Sequence, residues 1–227
     1  MNTAKHMFIF LLVLLLFSPL ESAAKIAVTT KVSGTVDYEQ SGSSGFSVLK
    51  PGTILSDGDR IITGKNGFAA LIYIDDKSMV KITGNTEVII KGTRSTGSIS
   101  KKVNIDRGTL RAQVNKQRKG EFVVQSSTSV ASVKGTDFWM ITNPEMGDIL
   151  IGLEGLVNLT NLASGESTDV GAGNTGTSST DGTVETSETN PDDIPSDPDE
   201  DDATSNQIEI EMEGPDGEIK TLLIDIQ

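Results

Sequence analysis

Between Ile26 and Leu159 short runs of Val, Ile, Leu and Phe alternate with turns of Gly, Asn, Asp or Ser. Strands are predicted at Ile26–Val36, Arg60–Thr63, Ala69–Ile74, Met79–Ile82, Glu87–Lys91, Lys101–Ile105, Leu110–Val114, Glu121–Gln125, Val130–Val133, Phe138–Thr142, Ile149–Leu153 and Leu156–Leu159. Their short, evenly spaced runs and punctuating turns are the grammar of hairpins in an all-β domain. No segment keeps an apolar period of 3.6 residues, so helix content should be low.

Val80-Lys-Ile82 and Glu87-Val-Ile-Ile-Lys91 alternate, which gives one face to a core and one to water. Leu71-Ile-Tyr-Ile74 is apolar throughout and should lie centrally. Aromatics are 4% of the residues, so the core must be aliphatic, with Phe68, Phe122, Phe138 and Trp139 as its large members. Fully burying a Val, Ile or Leu side chain contributes about 1.5–3 kcal/mol before entropy is subtracted. Lysines inside strands, at Lys81 and Lys101-Lys102, read as protection of exposed edges. Glycines precede β-formers at Gly34, Gly108, Gly135 and Gly155. A two-layer β-sandwich and a short β-roll or solenoid of many short strands both accommodate that rhythm.

The pattern stops after Val170. Residues 171–206 are Gly-, Ser-, Thr-, Pro- and acid-rich, the composition of a disordered acidic linker. It resumes at Gln207-Ile-Glu-Ile-Glu-Met-Glu213, a strict alternation. A Gly214-Pro-Asp-Gly217 turn and Glu218–Ile226 follow, which predicts a C-terminal β-hairpin over 207–227. Ile208, Ile210 and Met212 line one face of its first strand, and Leu222 and Ile224 add apolar surface on the second. A lone hairpin is marginal, so this one is expected to add to a sheet edge, its own or a partner's.

Residues 1–24 have the anatomy of a secretory signal peptide. Lys5 and His6 form the basic start, Met7–Phe17 the apolar run, and Ser22-Ala23-Ala24 the small residues before a cut. Cleavage is expected after Ala24, leaving a domain over 25–170 and no membrane span, since the run is short against the roughly 18–20 residues a span needs. The chain has no cysteine, and its only histidine would leave with the leader. That removes thiolate and imidazole metal sites and Cys–His or Ser–His pairs from consideration. No catalytic residue, metal or cofactor is expected. Residues 25–165 carry a net charge of +4 and residues 166–227 one of −17, so the acidity belongs to the tail. That balance and the expected export argue against a nucleic-acid partner.

Several glycine-marked steps follow one another along the chain. They begin with Gly34-Thr-Val36, Leu49-Lys-Pro-Gly52, Gly58-Asp-Arg-Ile-Ile-Thr-Gly64 and Asp75-Asp-Lys-Ser78. Arg107-Gly-Thr-Leu110, Phe122-Val-Val124 and Val133-Lys-Gly-Thr-Asp-Phe138 follow, then Glu154-Gly-Leu-Val157 and Leu162-Ala-Ser-Gly165-Glu166. In this order the set resembles the FecR domain, a sensing and interaction module on the outer side of bacterial inner membranes. The resemblance runs over about Val28–Val170. It departs from the family in having no glycine in the Asp75–Ser78 turn and lysine for arginine at Lys134. It implies an all-β binding module without enzymatic activity. The regulators of the family also hold a sigma factor through a cytoplasmic region; here only the leader precedes the domain, so the expectation is an exported binding module alone.

Val133–Trp139 reads as a tight structural turn with Phe138 in the core. As a recognition turn it would instead present Lys134, Asp137 and Trp139 to a partner. Asp57, Asp59, Asp75 and Asp76 read as turn formers rather than as acid–base or calcium carboxylates. Asp197, Asp199 and Asp201 alternate as calcium ligands do, but without the glycine and closing glutamate of an EF-hand. Lys116-Gln-Arg-Lys119 reads as a solvated hairpin loop. The expected partners are an envelope protein or, for an adhesive structural protein, a polysaccharide.

Overall fold

The computed structural model describes residues 24–116, 120–199, 207–213 and 219–225. The leader up to residue 23, residues 117–119 of the basic cluster and residues 200–206 lie outside them, as do the side chains of the terminal hairpin.

Seventeen strands make one continuous hydrogen-bonded sheet that folds into two layers. Layer A runs β4 (Ile54–Ser56), β1 (Lys25–Ser33), β6 (Phe68–Tyr73), β7 (Met79–Ile82) and the second half of β9 (Ser98–Val114). It continues through β12 (Thr136–Asn143), β13 (Gly147–Glu154), β16 (Asn174–Ser179) and β17 (Val184–Glu188). Layer B runs β3 (Phe46–Val48), β2 (Val36–Glu39), β5 (Asp59–Thr63), β8 (Glu87–Ser95) and the first half of β9. β10 (Phe122–Gln125), β11 (Ser129–Val133), β14 (Leu156–Asn161) and β15 (Ser167–Gly171) complete it. All pairs are antiparallel except β9 with β10. Separately, β18 (Gln207–Glu213) pairs with β19 (Ile219–Asp225).

The all-β reading therefore holds, and the architecture is a sandwich whose layers share β9. Two predicted strands, Lys101–Ile105 and Leu110–Val114, are halves of this one strand. Its inward residues are Ile99, Lys101, Val103 and Ile105 in the first half and Leu110, Ala112 and Val114 in the second, so the inward phase slips by one. The slip coincides with a register shift opposite Glu87–Val88 and with Gly108 at φ +103°. A Cβ there would sit 2.3 Å from Thr86 Oγ1, so the crossing needs glycine. Conversely, the predicted strand Ile26–Val36 breaks at Gly34: β1 enters layer A and β2 layer B.

Between the layers lies the aliphatic core: Ile26, Leu55, Leu71, Val80 and Ile82 face Ile61, Val88, Val103, Phe122 and Val124. Tyr73 of layer A meets Phe122 of layer B edge to face, with centroids 5.8 Å apart. Lys101 points into this interior, 1% exposed, with Nζ 2.9 Å from Asp75 and 2.8 Å from Asp76. Asp75 also accepts from the Ile99 N–H. Lys101 is thus no edge guard; it ties layer B to the β6–β7 turn of layer A. Asp59 keeps its expected turn role, accepting from the Ser56 and Ser41 N–H groups.

The domain does not stop at Val170. Residues 171–199, expected to begin the linker, form β16, β17, a 3₁₀ turn at Pro191–Asp193 and a segment reaching Asp199. Composition misleads because edge strands need little apolar surface of their own. Gly176 lets β16 lie directly on Val170 and Leu159, where a Cβ would meet Val170 Cγ2 at 2.4 Å. Ser178 is buried and accepts from the Asn161 side chain.

A chain ending at Val170 should therefore unfold at a lower denaturant concentration than one ending at Asp199, because β13 loses its β16 neighbour. Equal midpoints in urea titrations of the two would place the boundary back at Val170.

Candidate functional site

The β11–β12 turn carries Lys134 into solvent where two open clefts meet. One, of about 380 Å³, lies on layer B and is walled by Phe122, Val123, Ser132, Leu156 and Asn158. Leu156 is 55% exposed there, and Asn158 donates to Asp169 at 2.8 Å. The other, of about 570 Å³, is polar and walled by Lys77, Gln113, Lys116, Asp137 and Glu154. Of the proposed recognition trio, the structure thus brings Lys134 and Asp137 to one cleft. Trp139 is elsewhere: it is 1% exposed on the outer side of layer A.

Alternation explains the separation. Along β12, Phe138 and Met140 face the core, while Asp137 and Trp139 face outward. Cross-strand pairing places Trp139 in a row across layer A: Lys31, Ala70, Lys81, Arg111, Trp139, Ile151 and Thr175 are successive neighbours. An outward row on a sheet should be wet, yet Lys81 is 3%, Arg111 8% and Ile151 1% exposed. The cover is the chain's own segment 189–199. It starts over Thr175, where the Thr175 and Thr189 hydroxyls are 2.8 Å apart and the Thr189 N–H donates to Gly173 O. It ends with Asp197 over Lys81 and Arg111 and Asp199 over Lys31 and Lys81.

The charges along this row are matched. Lys81 Nζ is 2.8 Å from Asp197 and 3.2 Å from Asp199, and Lys31 is 3.3 Å from Asp199. Arg111 donates from Nη1 to Asp197 at 2.7 Å and from Nε and Nη2 to the two oxygens of Asp137 at 2.9 and 2.7 Å. That paired geometry is the strong form of a charge-assisted bond. Arg111 also lies 5.9 Å from the Trp139 ring. Burial alone would raise the Asp197 carboxyl; hydrogen bonds from Lys81, the Asp199 N–H and Arg111 outweigh it and hold the group below the usual carboxylate range.

Sequence reasoning missed Lys81, Arg111, Asp197 and Asp199. Lys81 read as an edge lysine and the acids as linker, because each partner lies far along the chain from the other. The sequence carried no signal for the burial of Lys81: the alternation of Met79-Val-Lys-Ile82 turns it outward, as it would a water-facing lysine. Among the described residues no group of three or more His, Cys, Asp or Glu side chains is placed to hold a metal ion, and no helix is long and apolar enough to cross a membrane. Asp148 is a buried carboxylate that accepts from the Ser126 and Ser129 hydroxyls and braces the β10–β11 turn; burial pushes its carboxyl up. In the terminal hairpin the register sets Ile208 opposite Ile224 and Ile210 opposite Leu222.

Residues 59–158 match the protein-family model described as FecR protein. These residues run from β5 to β14 and supply every wall of the polar cleft, Lys81, Arg111 and Trp139. The earlier Gly34-Thr-Val36 and Leu49–Gly52 steps, and the closing Leu162–Glu166 step, lie outside the matched residues. No curated protein matches the chain. Two crystal structures of a "putative anti-sigma factor" from Parabacteroides distasonis are similar at 13% identity, with TM-scores of 0.49 and 0.48. Each comparison covers 58% of this chain, and the chain spans about 60% of the length of those structures.

Removing the Lys81 ammonium leaves the covered Asp197 with Arg111 and Asp199 with Lys31, and losing a charge-assisted hydrogen bond costs roughly 1.5–3 kcal/mol. Lys81→Ala should show a loss of that order by denaturant titration. The depressed Asp197 carboxyl contributes stability that is full above about pH 5 and fades as pH falls below about 4. The gap between wild type and Asp197→Asn should therefore close in acid, whereas a gap constant from pH 7 to 3 would contradict the pairing. Asp148 acts with the opposite sign in both proteins and cancels from the difference.

Proposed function

We propose that this protein is an exported FecR-type interaction module of the bacterial cell envelope, without enzymatic activity, acting through protein contacts in sensing or signalling. The observation that carries this reading is the FecR match over residues 59–158, the strands that build the ground between the two clefts. The site itself suits binding. Lys134 stands exposed between an apolar cleft and a polar one, which supplies a hydrophobic patch with a charged rim. Of the two acids in the wall of the polar cleft, Asp137 is held by Arg111 and Gln113, and in the other cleft Asp169 is held by Asn158. A glycosidase would need two acids facing an open cleft at a defined separation.

A polysaccharide-binding role is the second reading. The polar lining of the larger cleft, with Gln113, Asn115 and Glu154, favours it. Against it, the aromatic that would stack on a sugar ring, Trp139, is 1% exposed.

Export predicts that protein recovered from envelope fractions begins Lys25-Ile-Ala-Val. With a photo-crosslinker at position 134, wild type should capture envelope proteins, and Leu156→Glu should reduce that capture several-fold without changing thermal stability. Crosslinking only to glycan, or binding on a glycan array that Leu156→Glu leaves intact, would replace the first reading with the second.

A further inference from the structure

The row under segment 189–199 is built like a binding site whose occupant happens to be tethered. Three cations from three strands, Lys31, Lys81 and Arg111, lie in line with the indole of Trp139. The strap meets them through an Asp-x-Asp pair. Asp197 accepts from the Asp199 N–H, a turn that brings the two carboxylates together, which is how both reach Lys81. Among the described residues, no backbone hydrogen bond joins 190–199 to the sheet; its backbone bonds run to Gly173 at its start and within itself. Side-chain ion pairs hold the strap, and ion pairs are exchangeable for other carboxylates in a way that a strand ladder is not.

We propose that Lys31, Lys81, Arg111 and Trp139 form a receptor for an acidic protein segment that turns through an Asp-x-Asp pair, which residues 189–199 occupy in cis and a partner's segment takes in trans. The chemistry of the occupant follows from the cost of leaving the site bare. Ammonium and guanidinium groups this buried need a counter-charge, so whatever displaces the strap must bring carboxylates. A tethered strap competes at an effective concentration in the millimolar range, so a partner must either bind tightly or meet a strap already weakened. Arg111 is shared between Asp197 of the strap and Asp137 of the polar cleft, so occupancy of the row is in contact with the Lys134 ground. This deepens the protein-contact reading and rests on it.

Trp139 is the only tryptophan, so its emission reports the site directly. In the full chain, Asp197→Ser with Asp199→Ser should shift that emission to the red while leaving far-UV circular dichroism unchanged. A synthetic peptide of residues 190–202 should return it to the blue and bind this variant at least about tenfold tighter than wild type. Adding Lys81→Met to the variant should abolish that binding. If the double variant does not fold, Asp199→Ser alone, with Asp197 retained, should still bind the peptide more tightly than wild type. Folded variants that ignore the peptide, or that bind a scrambled peptide with separated aspartates equally well, would overturn the proposal. A concentration-dependent dimer with Trp139 buried again would overturn the separate partner, assigning the site to another copy's strap. Loss of peptide binding with capture at position 134 intact would sink this inference and leave the proposed function standing.

Discussion

Both layers hang on one backbone crossing. β9 begins in layer B between β8 and β10 and ends in layer A between β7 and β12, and the passage is made where Gly108 takes a positive φ against Thr86. A strand that changes layers must also change which of its faces is inward, because the two layers look at each other. The one-residue slip before Gly108 does this, turning Ile105 inward on one side and Leu110 inward on the other. With the phase set, the rest of β9 falls into place: Lys101 is committed to the interior and Arg111 to the outside of layer A.

Those two cations show how the fold handles charge it cannot leave in water. Lys101 sits between Asp75 and Asp76 at the layer junction, and Lys81 and Arg111 are closed under Asp197. In each case a cation on one strand is met by acids on a turn or a tail, so the pairing fixes the placement of a less regular segment. Buried pairs are a weak source of net stability compared with apolar replacements, but they are strict about geometry and partner. That strictness suits a tail segment that has few apolar side chains of its own.

The binding surfaces follow from the same alternation. β11, β12 and β14 turn Val133, Phe138, Val157 and Leu159 inward, which leaves Lys134, Leu156 and Asn158 around one cleft and Asp137 in the wall of the next. The matched residues 59–158 thus supply much of the core together with the contact ground, and the strap beyond them lies over the outer row of layer A.

Period-two alternation and turn residues determined the all-β class, the strand positions of the central region and the pairing of the terminal hairpin, because those depend on neighbours in the chain. They could not show that Lys101–Ile105 and Leu110–Val114 are one strand, or that Ile26–Val36 is two, since continuity across a kink is decided by which layer each end packs into. Nor could they place Trp139, whose exposure depends on a segment about fifty residues away in the sequence. Residues 171–199 look like linker because their composition is polar. They are ordered because β13 offers an open edge, Val170 accepts Gly176 against it, and Asp197 meets Lys81 and Arg111 together. Which charges meet is a property of the folded surface, where sequence distance no longer counts.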